Sequence, residues 1–148
     1  MDLLSMNKFI YPFFLFLLIQ IRLYSLPEGS KAMTEGGSVS TIGSEMTISA
    51  PDNSIFHHEK FNVAPNETVR FTQPSSQSRV LNRVVGTGAK SNIQGDIRAN
   101  GSVYLVNPAG VIFGSGSTVE VGRLHVVAGS LTDDNFKAQI DKFESLTG

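Results

Sequence analysis

Between Asn100 and Gly116 the chain passes from apolar run to turn and back again with no room for a helix. Val103 to Val106 is a short apolar run, Asn107-Pro108-Ala109-Gly110 stops it, and Val111 to Phe113 begins at once. Asn-Pro and Gly are turn punctuation, so the segment reads strand, tight turn, strand. Asn100-Gly101 stands before it and Gly114-Ser115-Gly116 after it, in the same grammar. Parallel strands of an open sheet need a crossover of about a dozen residues, usually helical. These gaps hold none, which excludes βαβ units.

The rest of the chain repeats the pattern. Val39 and Ile42, then Met46 and Ile48, flank Gly43-Ser44. Pro51-Asp52-Asn53-Ser54 is a turn, Ile55 and Phe56 lead to Phe61-Asn62-Val63, and Pro65-Asn66 bends the chain again. Thr68 to Thr72 alternates, and period-two alternation over a short run argues strand. Further strands are expected over Arg79 to Val85, Ile93 to Ile97, Val119 to Val121 and Leu124 to Val127. Asp133-Asp134 ahead of Phe136, Ile140 and Phe143 predict a short amphipathic helix with an acidic N-terminal cap. An all-β chain of this kind is either an antiparallel sandwich or a parallel β-helix, with roughly 20 residues per coil. Periodicity does not separate the two.

Composition narrows the function classes. At 148 residues the chain is one domain at most, and its net charge of -1 supplies no basic footprint, so no nucleic acid is expected as a partner. Zero Cys excludes disulfides, a thiolate nucleophile, Cys-ligated metal and a lipoprotein anchor. The 14 Gly and a charged fraction of 17% suit many tight turns between short strands.

Residues 1–25 read as a signal peptide. Lys8 supplies the positive charge, Phe9 to Ile19 the apolar core, and Ser25 a small residue for cleavage before Leu26. The core is shorter than the ~18 apolar residues of a membrane span. Pro12 lies inside it and Gln20 closes it. The remaining 26–148 is a mildly acidic, Gly-rich, aliphatic domain.

An ordered set of motifs then carries a family resemblance over about residues 26–136. Leu26-Pro27 comes first. Phe61-Asn62-Val63 follows, with Glu67-Thr68-Val69-Arg70-Phe71 behind it. Gln73-Pro74, Leu81-Asn82-Arg83-Val84, Ile93-Gln94-Gly95 and Asn107-Pro108-Ala109-Gly110-Val111 complete the order. The set resembles the N-terminal secretion domain, or haemagglutination activity domain, of filamentous haemagglutinin-family two-partner secretion exoproteins. There are departures: His57-His58 stand where relatives usually have Asn-Trp, Ala109 stands where many have Asn, and the additional Asn-Pro-Asn-Leu motif of one branch is missing. The family's domain also runs past the equivalent of Gly148, so residues 26–148 are expected to be a domain truncated at its C-terminus.

The resemblance implies a right-handed parallel β-helix, a single-stranded solenoid with an N-terminal cap. Val103, Leu105, Val111, Phe113, Val119 and Val121 would then line one core. It also implies an adhesin-type exoprotein, secreted or held at the cell surface. Its partners would be the Sec machinery, through the signal peptide, and an outer-membrane barrel transporter that reads the unfolded segment with its POTRA domains. Extended chain added to a sheet edge is a plausible docking mode. Contact with a host or neighbour-cell surface would belong to a downstream region. Outside the cell the domain would fold first and template the coils behind it. Asn107, Pro108, Ala109, Gly110 and Val111 are the secretion-motif candidates, with Phe61, Asn62, Leu81, Asn82 and Arg83 in support. The alternative is a stand-alone extracellular β-solenoid that binds or cleaves glycan.

No catalytic, cofactor or metal residue is expected. Adjacent side chains on a strand point to opposite faces, so His57 and His58 chelate poorly together, and a surface or cap role is their default. Gly86 to Ser91 lacks the glycines of a phosphate loop, which belong where Val84 and Ala89 stand. Asp96 and Glu120 are separated in sequence, and the serines lie in turns with no histidine partner in reach by sequence. Asn66-Glu67-Thr68 and Asn100-Gly101-Ser102 match glycosylation sequons but read as turns.

Overall fold

The computed structural model describes residues 23–86 and 88–145. The signal-peptide core lies outside them. The chain is nearly all β, wound as a parallel β-solenoid. Four parallel strands, β4 (Ser54–His58), β6 (Arg79–Val84), β9 (Ser102–Val106) and β12 (Arg123–Val127), stack as one face. A second face stacks β3 (Glu45–Ser49), β5 (Thr68–Thr72), β8 (Asp96–Ala99) and β11 (Thr118–Glu120). A short third face pairs β7 (Ser91–Ile93) with β10 (Val111–Phe113), and Val63 bridges to Ile93 one coil above. Arg79 lies beside Ser102, and Ser102 beside Arg123, so each coil takes just over twenty residues.

An N-terminal cap closes one end. Strand β2 (Ser38–Ile42) turns at Gly43, φ 58°, and pairs antiparallel with β3. Strand β1 (Lys31–Ala32) pairs antiparallel with β4. Val39 packs on the core while Ile42, on the opposite parity, is exposed. The stretch from Ile93 to Ile97 is two strands and not one. Gln94-Gly95 turns the corner between β7 and β8, because a coil face accommodates only three to six residues.

The register stacks like on like inside the coil. Met46, Val69, Ile97 and Val119 form one inward column, and Val80, Val103 and Leu124 another. Burial falls toward the last coil. Val103 and Leu105 are fully buried, and Val111 and Val121 are partly buried against them. Val119 is half-buried. Phe113, expected to be enclosed, is 39% exposed. It stacks on buried Ile93, but no coil lies on its other side among the described residues. A solenoid side chain is enclosed only by neighbours above and below.

A second core sits outside the first face. Ile55, Leu81, Tyr104, Val106 and Val127 point outward and are covered by Leu131 and Phe136. Phe136 belongs to α1 (Asp133–Lys137), which is shorter than the spacing predicts. Its N-cap is Thr132, whose Oγ1 accepts from the Asn135 N–H at 3.1 Å; Asp133 and Asp134 occupy the first turn. The helix stops because Gln139 adopts φ 58°, with Ile140 N–H bonded to Asn135 O and Gln139 N–H to Phe136 O. This is a Schellman stop with glutamine in the position glycine usually takes. Ile140 and Phe143 therefore leave the helix and are exposed. The chain ends its described course in β14 (Glu144–Ser145), antiparallel to β13 (Gly129–Ser130).

Coil-on-coil contact is tightest at the corners. A Cβ on Gly95 would stand 2.3 Å from Ala64 O and 2.4 Å from Glu67 O, both backbone atoms of the preceding coil. Gly95→Ala is expected to destabilise the domain by about 1–3 kcal/mol, the usual cost of overpacking. Denaturant titration of the variant against the parent checks it, and an unchanged midpoint would show that the corner can yield.

Candidate functional site

The Asn107-Pro108-Ala109-Gly110 segment is the corner that carries the chain from β9 to β10. Gly110 N–H bonds to Asn107 O at 2.9 Å, closing a four-residue turn, and Gly110 sits at φ 104°. Proline at the second position has its φ set by the ring, and glycine at the fourth adopts a conformation that side chains disfavour. Asn107 is 2% exposed, and its amide fills the corner. Its Oδ1 accepts from Ala109 N–H at 2.9 Å, which fixes the turn. Its Nδ2 donates to Ala89 O and to Ser91 Oγ, each at 3.0 Å, which fixes the turn to the coil below. Its own N–H bonds to Val127 O in the coil above. One side chain thus ties the bend to the stack. Ser91 N–H returns the contact to Gly110 O at 3.0 Å. Pro108 is exposed, while Ala109, Gly110 and Val111 are half-buried.

The supporting motif residues lie in other coils and act through the stack. Asn62 Oδ1 accepts from Asn92 N–H at 2.9 Å, one coil up at the same corner. Phe61 is buried and meets His58 edge-on, ring centroids 5.1 Å apart. Leu81 belongs to the outer core. Asn82 points inward, where its Oδ1 meets His58 Nε2 at 2.9 Å and its Nδ2 donates to Tyr104 O at 3.3 Å. Arg83 points outward and donates to Leu131 O and to the Asp133 carboxylate. Arg79, on the same outer face, donates to Phe136 O at 2.8 Å and to the Tyr104 hydroxyl at 3.1 Å. Together these two arginines strap the α1 segment onto the outer core.

Of the surface or cap role expected for the two histidines, the surface part does not hold for His58. Strand parity turns His57 outward beside Arg83 and His58 into the coil, where it is fully buried. Ser30 Oγ lies 2.8 Å from its Nδ1, so both ring nitrogens are used. Burial pushes its pKa down to about 4, and the Asn82 contact only partly opposes that. The imidazole is neutral at pH 7. Asp96 and Glu120, distant in sequence, come together at Arg98, at 3.2 and 2.7 Å. An arginine between two carboxylates on the surface is an exposed charge ladder, worth little in stability.

Residue spacing alone does not point to two further buried polar groups. Gln73 Nε2 donates to Ser78 O and Ser102 O, at 3.2 and 3.1 Å, and its Oε1 accepts from Gly101 N–H at 2.8 Å. Glu67 is 4% exposed and accepts from Ser25 N–H at 2.7 Å. Both belong to the motifs that carried the family resemblance. Their roles became visible only when the coils were stacked.

The family model for the TPS secretion domain matches residues 24–147. The chain belongs to that family. The solved secretion domain of HMW1 from Haemophilus influenzae superposes with a TM-score of 0.78 at 26% identity, over 82% of this chain and 32% of that one. A heme/hemopexin-binding protein of Haemophilus influenzae strain Rd is 45% identical over 101 residues, 67% of this chain and 11% of the relative. A second heme/hemopexin-binding protein of that species is 39% identical over 85 residues, 57% of this chain and 9% of the relative. The chain thus spans about a tenth of the length of these curated relatives. Membership makes it a targeting domain of two-partner secretion, which implies an outer-membrane transporter as partner and a product secreted or held at the cell surface. The family is a secretion domain and not an enzyme family. These findings do not favour a stand-alone glycan-binding or glycan-cleaving solenoid.

Proposed function

We propose that residues 26–148 carry the export signal of a longer exoprotein, and that the Asn107 corner is part of what the transporter reads. Residues 1–25 direct the precursor through Sec, and the POTRA domains of the barrel engage the chain in the periplasm. The domain is non-catalytic. Outside the cell it folds first and offers its last coil as a template, with the ligand-binding or adhesive output downstream. That output is heme- or hemopexin-directed, a reading supported by what the relatives' names say they bind.

The observation that carries the reading is the burial of Asn107 beneath an exposed Pro108. In the folded corner every polar atom of the Asn107 side chain is engaged. A transporter that reads Asn107 directly therefore reads it before folding, in extended chain, where backbone pairing with a sheet edge supplies affinity.

Asn107→Ala in a fusion to a longer passenger, with the cognate transporter present, is expected to reduce secretion while periplasmic precursor persists. Quantifying supernatant and periplasm by immunoblot checks it. Equal supernatant from variant and parent would confine Asn107 to a structural role.

A further inference from the structure

Just before β5, next to the start of the described chain, lies a carboxylate that pairs with no cation among the described residues. Glu67 is 4% exposed, and its two oxygens accept from Ser25 N–H at 2.7 Å and Ala64 N–H at 3.3 Å. Among the described residues, no Lys, Arg or His forms an ion pair with it. Burying a carboxylate against neutral donors alone is costly, and a charge-assisted partner is worth roughly twice a neutral one.

The donor on Oε1 is the residue that processing removes. We propose that the α-ammonium group created at Leu26 by signal-peptide removal binds the carboxylate of Glu67, so that processing itself completes the N-terminal cap. The inference rests on cleavage between Ser25 and Leu26. Hydrolysis by a signal peptidase adds water across that peptide bond. The Ser25 carbonyl keeps the hydroxyl and leaves as a carboxylate, and the Leu26 nitrogen takes the proton and becomes a cation at neutral pH.

Geometry keeps the new cation near Glu67. Adjacent residues of a chain are about 3.8 Å apart, so the Leu26 nitrogen lies one short step from the Ser25 nitrogen. Leu26 and Pro27 are buried. Directly after them, Glu28 N–H bonds to Lys60 O at 2.9 Å and Glu59 N–H to Glu28 O at 2.8 Å. The acceptor is held equally well, since Glu67 N–H bonds to Ala64 O and Thr68 N–H to Ser44 O. Among the described residues Glu67 meets only amide N–H groups before cleavage; after cleavage it meets a full charge. The processed chain is then more stable than the precursor, which suits a protein that crosses a membrane before it folds.

The test uses processed protein, its first residue fixed by intact mass and N-terminal sequencing. The α-amine is titrated by its rate of acylation against pH, in the parent and in Glu67→Gln. In the parent the amine is expected to titrate at least one unit above its ordinary value of about 8, and to react about fivefold more slowly at pH 8. In Glu67→Gln it returns to the ordinary value. Inserting one glycine between Ser25 and Leu26 displaces the ammonium and is expected to have the same effect with Glu67 intact. Identical titration in all three proteins, with Leu26 first in the parent and in Glu67→Gln and the inserted glycine first in the third, would overturn the latch and leave the cleavage site standing. A different first residue in the parent would overturn both.

Discussion

Phe71→Ala is expected to destabilise the domain by about 3–5 kcal/mol, whereas Phe113→Ala costs about 1–2 kcal/mol. The two side chains are chemically identical and both point into the coil. Phe71 is 2% exposed, with Ile48 beside it in the preceding strand and Ala99 in the next. Its removal leaves a cavity walled on both sides by backbone that cannot collapse. Phe113 has Ile93 on one side and is 39% exposed, so truncation there sheds a partial contact and opens no closed void. Chemical denaturation of the two variants against the parent decides it. Equal losses would mean that the last coil is as tightly packed as the middle of the stack.

The largest effect of pH is expected from His58. Its pKa falls from 6.5 in the unfolded chain to about 4 in the fold, because burial disfavours the charged form. Above pH 6.5 both states are neutral at this group and stability is at its full value. As pH drops below 6.5 the unfolded chain binds a proton that the folded chain refuses, and stability falls until both states are protonated below pH 4. The total is on the order of 3 kcal/mol. His57, also lowered by burial and by Arg83, adds in the same direction. Stability measured from pH 7.5 to 4.5 is expected to decline in the parent and to flatten in His58→Gln, whose amide can still bond to Asn82. A parallel decline in both proteins would assign the acid sensitivity to other groups. A coil that loosens in acid while resting on an uncharged histidine differs from carboxylate-driven acid unfolding, which sets in at lower pH.

Much of the candidate site was legible because its residues act locally. Asn-Pro followed by Gly fixes a turn through proline's φ and glycine's freedom, and both effects act within four residues. The structure places that turn where the residues put it, with Gly110 at φ 104°. The partners of Asn107 were not legible. Ala89 and Ser91 lie one coil down, and only the register brings them under the amide. Asn82 and Arg83 show the same limit. They are neighbours in sequence, yet one enters the coil to hold His58 and the other leaves it to hold the C-terminal strap.

By itself the sequence determined that the chain is built of short strands separated by tight turns, because alternation and turn residues express preferences of single residues and near neighbours. Composition settled the absence of disulfides, and the order of the motifs pointed to the family. Tertiary structure decided everything that depends on which coil lies on which. It split the Ile93 to Ile97 run at Gly95, since a face holds only a few residues before the backbone meets the coil beneath. It buried His58 and left Phe113 half exposed, since enclosure in a solenoid comes from the coils above and below. It ended the last helix at Gln139 and set Phe136 over a second core, because an outward face of Leu81 and Tyr104 had to be covered by something later in the chain. Contacts made at about one coil's separation have no signature within any single window of residues, and so they come from the fold.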